Sequence, residues 1–179
     1  MSRIPFVDPA TASPEVKATY EEVSQHHSIS NMKATLLHSP AATYAVLEWY
    51  KLFDVVKPYL GERLAILFCD GISRVNHCEL CATFMHREIV QWGEDPFNLK
   101  LDEREQVVVE FGRQLAKDAN GVSDELFAKL KKYFTDAQIV EITVFGTLMI
   151  VNNLYNSALQ VPLDTSLDNF KIDPEKYFA

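Results

Sequence analysis

Glycine is scarce, 6 in 179 residues, and the Asn-Gly or Asp-Gly turns that join short alternating runs are nearly absent, which excludes a fold built from β-hairpins. Positive charge is also short. Lys and Arg number 17 against 25 Asp and Glu, a formal net charge of −8, so no basic surface is available to neutralise phosphates and nucleic-acid binding is excluded. The one basic run, KLKK at 129–132, reads as the solvated face of a helix. There are only 3 cysteines, and a chain of this length buries roughly two thirds of its unfolded surface without staples. Long apolar runs are missing too. VFGTLMIV (Val144 to Val151) is too short to span a bilayer and is followed by Asn152 and Asn153, and MSRIPFVDPA has an early Pro and Asp in place of an apolar signal segment. The expectation is a cytoplasmic protein that uses no membrane, in a compartment where thiols stay reduced unless they turn over. With 47% apolar and 23% charged residues, one domain spanning 1–179 is expected to fold unaided.

What the chain does contain is a series of helix signals. Ser13-Pro14 and Ser39-Pro40 each place an N-cap before a proline at the first helical position, opening PEVKATYEEVSQHH and AATYAVLEWYKLFDVV. Leu64, Leu67, Phe68, Ile72 and Val75 recur at spacings of three and four from about Glu62. Asn76 with Glu79 predicts a capping box that starts a fourth helix, with Gly93 just past its end. LDEREQVVVEFGRQLAKD runs from acidic to basic, as a helix dipole favours, and stops at Asn120-Gly121. Ser123 caps the next helix, whose apolar stripe is Leu126, Phe127, Leu130 and Phe134. Thr135 and Gln138 open a long apolar helix that runs to about Leu159. The fold class is all-α, a single-domain helical bundle, with residues 1–12 as an arm and 161–179 as a tail lying over the body or a neighbour.

The chemistry concentrates in NHCELCATFMH, residues 76–86. If Asn76 is the N-cap, Cys78 falls at the second helical position and Cys81 at the fifth, where free N–H groups of the first turn lower a thiol pKa. A step of three residues leaves the two about 60° apart on one face, within reach of a disulfide. His77, about 40° from Cys81, is the nearer proton partner, whereas His86 lies about 140° round the helix. Zinc on His77, Cys78, Cys81 and His86 is the metal reading, but no second ligand pair accompanies them, so no metal and no cofactor is expected. Cys69, inside an apolar helix, reads as inert. His26, His27 and His38 show no partner pattern and read as surface or cap residues.

Taken together, HSPAATYAVLEWY, LGERLAILFCDGISRVNHCELC and the segment from Leu101 to Leu159 resemble the carboxymuconolactone decarboxylase superfamily, within it the alkylhydroperoxidase D-like proteins, over residues 33–160. The resemblance implies an all-α protein assembled as a trimer or hexamer, with the CxxC helix near a subunit interface. It implies a peroxidase in which Cys81 attacks a hydroperoxide, Cys78 resolves the sulfenic acid to a disulfide, and a carrier dithiol restores the pair. The decarboxylase branch generally lacks the CxxC, which argues against that activity here. Two family positions depart from the pattern: the Glu twelve residues before the first Cys is Ile66, and the His four residues after the second is Met85. Asp70, one turn beyond Ile66, and His77 or His86 are the replacements available. The leading expectation is a thiol-dependent peroxidase or disulfide reductase acting through Cys81, Cys78 and His77. Its rival is a catalytically degenerate oligomer of the same fold that senses redox state or binds a partner. The aromatics Tyr44, Trp49, Tyr50 and Phe53 serve either a homo-oligomer contact or the core.

Overall fold

The computed structural model describes residues 2–179. Among the described residues nine α-helices follow one another: α1 Pro14–His26, α2 Asn31–Leu36, α3 Pro40–Leu60, α4 Glu62–Val75, α5 Glu79–Gln91, α6 Glu103–Lys117, α7 Asp124–Tyr133, α8 Asp136–Leu159 and α9 Pro174–Tyr177. There is no strand among the described residues. Short 3₁₀ turns lie at Ala119–Gly121 and Thr165–Phe170.

Local chemistry accounts for most of the starts. The Ser13 and Ser39 hydroxyls accept from the amides of Val16 and Ala42. Reciprocal capping boxes close at Asp102/Glu105 and Thr135/Gln138, each cap stabilising its helix by about 1 kcal/mol. Gly93 follows α5 with φ at 78°, the left-handed position that glycine occupies without a Cβ clash.

α4 is the centre of the bundle. Ten of its residues, Leu64 through Ser73, are buried, and it packs against α3, α5, α6 and α8. Its Phe68 is fully buried between two helices that approach through glycine: a Cβ at Gly112 of α6 or at Gly146 of α8 would lie 2.7 Å from the ring. Two small residues therefore set how closely α6 and α8 draw up to α4. α8, 24 residues, is long and apolar enough to cross a membrane by composition, and it turns Ile139, Ile142, Phe145 and Met149 into the core. Val140, Val144, Val151 and Leu154 on its other side are exposed. Of the aromatics on α3, Trp49 is core, stacked on Phe53 and Phe145, while Tyr44 is exposed.

The arm and tail both lie on the body. Arg3 and Val7 donate backbone bonds of 2.9 Å to the Leu159 and Ala34 carbonyls, and Ile172 and Tyr177 bury against Ala82 of α5.

One predicted start is wrong. Asn76 does not cap α5; it ends α4, its amide donating to the Ile72 carbonyl at 3.0 Å. Its side chain is spent elsewhere, accepting from Asn153 Nδ2 at 3.2 Å and donating to the Ala116 carbonyl at 3.4 Å. His77 takes a left-handed φ of 52° to turn the corner, and Cys78 becomes the N-cap of α5.

Candidate functional site

The two-residue slip changes where the sulfurs stand. Cys78 occupies the cap position, held by its own amide on the Ser73 carbonyl at 3.1 Å, and Cys81 stands at the third helical position. Both are free thiols and both are buried. The Cys78 thiol is held below its ordinary value. The largest cause is the Cys81 thiol, which faces it as a donor, joined by the amides of Cys81 and Leu80 and the Ser157 hydroxyl, while burial works in the opposite direction. No formal capping hydrogen bond is closed at this helix start; the amides act by facing an anion at short range. The same contact pushes the Cys81 thiol up, because it is the donor to Cys78; burial and the Cys78 charge add to this, and only Asn156 opposes it. Of the two, Cys78 is therefore the thiol that gives up its proton first.

Access runs the other way. Cys81 lines a cavity of about 540 Å³ bounded by α2, α3, α5 and α8, and Cys78 does not. Asn156 Nδ2 reaches Cys81 Sγ at 3.2 Å and Met32 Sδ at 3.4 Å. Three residues of the same wall each keep a buried polar atom without a partner: Trp49 Nε1, Asn152 Oδ1 and Asn156 Oδ1. Leu80, Phe84, His26 and His27 also line it, so the two histidines read as surface or cap residues border a cavity as well.

The imidazoles and the carboxylate proposed as a relay are not joined to the sulfurs. His77 is exposed and stacks on Phe178, ring centroids 5.1 Å apart and nearly parallel at 3°. Asp70 accepts from Arg74 Nε at 2.7 Å and from the Tyr177 hydroxyl at 2.8 Å. Burial raises its pKa, against the pull of Arg74. His86 meets Tyr177 edge-on at 5.3 Å, and burial lowers its pKa. Asp70 and His86 thus belong with the docked tail. Ile66 and Met85 are both core residues. Cys69 is buried and its thiol is raised by that burial. His77, Cys78, Cys81 and His86 do not converge, and no group of three or more His, Cys, Asp or Glu side chains gathers as metal ligands among the described residues.

The polar groups that do serve the dithiol come from α8, about 75 residues downstream in the chain. Asn153 ties the corner, accepting from Ser73 Oγ at 3.3 Å and donating to Asn76. Asn152 and Asn156, one turn apart, face the cavity wall. Three asparagines on the buried face of an otherwise apolar helix were the available signal, since a buried amide needs a partner and so marks a polar feature in the core.

No family model matches the chain, and no curated protein matches it. Solved structures do. A peroxidase-related protein from Ralstonia eutropha with an alkylhydroperoxidase AhpD core superposes with a TM-score of 0.72 at 16% identity, covering 93% of this chain and 94% of that one. The fold is that of the AhpD core. A peroxidase-related protein from Silicibacter sp. shares it at a TM-score of 0.69 and 16% identity, covering 92% and 91% of the two chains. A protein of unknown function from Agrobacterium tumefaciens does so at 0.62 and 21%, covering 72% of this chain and 94% of that one. In this chain the AhpD fold presents a buried CxxC with its second cysteine on a cavity wall.

Proposed function

We propose that the protein is a dithiol peroxidase that reduces hydroperoxides through Cys81 and Cys78. The observation that carries this is a pair of facing thiols at a cavity wall: Cys81 is a donor to Cys78, Cys78 is the better anion, and Cys81 lines the cavity. In the step envisaged, the Cys81 proton passes to Cys78 and the Cys81 thiolate attacks the outer peroxide oxygen. The O–O bond breaks, leaving Cys81 sulfenic acid and an alkoxide that takes up a proton. Cys78, losing its proton, then attacks the Cys81 sulfur, the S–S bond forms and hydroxide leaves as water. Starting from one thiol and one thiolate, the sum is ROOH and one proton consumed, with ROH, water and a disulfide formed. A carrier dithiol returns two electrons and restores the pair. Cys78 here takes the proton-accepting role expected of His77, whose ring is turned to Phe178. A reducing, cytoplasmic compartment and a homo-oligomeric assembly are part of the proposal. The exposed stripe Val140, Val144, Val151 and Leu154 on α8 supports the latter.

Purified protein with dithiothreitol should consume cumene hydroperoxide, Cys81→Ser should abolish the reaction, and Cys78→Ser should halt at a sulfenic acid that dimedone traps. Equal rates for wild type and Cys81→Ser would refute the assignment. A second reading, a redox sensor or partner-binding oligomer without turnover, is favoured by the apolar Ile66 and Met85. It predicts a disulfide that forms with oxidant while no hydroperoxide is turned over.

A further inference from the structure

The cavity beside Cys81 contains a charge that the dithiol chemistry does not use. Lys33 of α2 is 4% exposed, and it lines the cavity together with Ser28, Tyr50 and Cys81. Its ammonium donates to the Ser28 carbonyl at 3.0 Å and sits 4.9 Å from the centre of the Tyr50 ring. No carboxylate pairs with it among the described residues. Of the other charged groups of the lining, Arg87 has an ion-pair partner and Asp164 a hydrogen bond but no cation. Asp164 accepts from the Asn31 amide at 2.7 Å, Arg87 pairs with Glu88 at 2.6 Å, and His27 is lowered by burial and by the Lys33 charge itself. His26 lies at the exposed end of α1. A buried ammonium with a carbonyl and a ring for company is short of an anion.

The second observation is the set of unpartnered atoms in residues of the same wall. Trp49, Asn152 and Asn156 are 8%, 7% and 3% exposed, and Trp49 Nε1 and both amide oxygens meet no partner. One donor and two acceptors suit a head group that both accepts and donates, as a terminal O–OH does, once the indole and the two amides shift to open these atoms to the cavity. Between these polar points the wall is Met32, Val46, Phe84, Met85 and Met149.

We propose that this cavity binds an apolar molecule bearing a carboxylate, with Lys33 holding the carboxylate and Trp49, Asn152 and Asn156 receiving the polar group next to Cys81. Resting on the peroxidase reading, the substrate class is then an organic hydroperoxide with an acid function, in preference to hydrogen peroxide or a neutral alkyl hydroperoxide. Lys33 is a specificity residue in this account, since it takes no part in bond making.

The test separates binding from turnover. Calorimetry on reduced wild-type protein compares 4-isopropylbenzoate with the neutral isostere 4-isopropylbenzamide. The acid should bind roughly 10-fold or more tightly, the range expected for a charge-assisted hydrogen bond in a buried site. Lys33→Met should erase that preference and Lys33→Arg should keep most of it, with circular dichroism checking that each variant is folded. If Lys33→Met fails to fold, the matched ligands on wild type and on Lys33→Arg still decide. Equal affinities for acid and amide, a preference that survives in folded Lys33→Met, or no binding of either ligand would overturn the proposal. Turnover of cumene hydroperoxide and of its para-carboxylate derivative is then measured in parallel. Acid preference in binding without turnover of either peroxide leaves the site standing and removes the peroxidase reading. Turnover of both at equal kcat/KM, with equal affinities, does the reverse.

Discussion

Gly146→Ala tests the packing that brings α8 to the dithiol. The added methyl would stand 2.7 Å from Phe68 Cζ, 3.0 Å from Cε1 and 3.3 Å from Ile72 Cδ1. The ring cannot retreat, because its opposite edge occupies the space where Gly112 lacks a side chain, with Cδ2 and Cε2 each 2.7 Å from that Cβ position. Overpacking of this kind costs about 1–3 kcal/mol, while replacing a mid-helix glycine by alanine returns about 1 kcal/mol of helix propensity. The steric cost wins, leaving a net loss of up to about 2 kcal/mol, and each kcal/mol lowers Tm by roughly 2–4 °C in a chain of this size. Thermal and urea unfolding of Gly146→Ala, Phe68→Leu and the double variant form a cycle. In the Phe68→Leu background the clashing ring atoms are gone, so the alanine should be neutral or stabilising, with a coupling of roughly 1–3 kcal/mol. Strict additivity, or a Gly146→Ala protein at least as stable as wild type, would refute the clamp.

Cys78→Ser removes both the sulfur that Cys81 donates to and the charge it can carry, two of the causes holding the Cys81 thiol up. Alkylation of Cys81 by iodoacetamide, followed by mass, should therefore begin at lower pH in the variant than in wild type; an unchanged or higher midpoint would contradict the coupling of the two thiols. Asp70 provides a second pH test. Its folded pKa is raised above the ordinary 3.8, chiefly by burial, so its stabilising contribution is complete below about pH 3.8 and is lost as pH rises through the folded value. Wild-type stability measured relative to Asp70→Asn by urea unfolding should accordingly fall between pH 3 and neutrality. A rise over that interval would mean that Arg74 outweighs burial.

Where a helix start depends on its own few residues, the sequence is a sufficient guide. Ser13, Ser39, Asp102 with Glu105, and Thr135 with Gln138 cap as expected, because a side-chain oxygen three residues before an orphan amide meets it whatever else surrounds the turn. Asn76 with Glu79 has the same spacing and fails. Its amide group is claimed by Asn153 and the Ala116 carbonyl, partners 77 and 40 residues away that no local pattern reveals. The CxxC and its place at a helix start were likewise legible, and the all-α class followed from the glycine shortage and the caps. Which thiol is the better anion was not. It rests on which sulfur stands at the cap and which lines the cavity, and both depend on how α4 turns into α5 against α8. Trp49, Lys33, Asn152 and Asn156 meet around Cys81 from three other helices. Sequence by itself sufficed for the seven longer helices and for the CxxC as the candidate pair, since both are local in the chain, but not for the short α2 and α9. Only the packing of distant helices decided which thiol ionises more readily, the cavity and its buried cation, because electrostatic energy in a dry interior depends on neighbours in space.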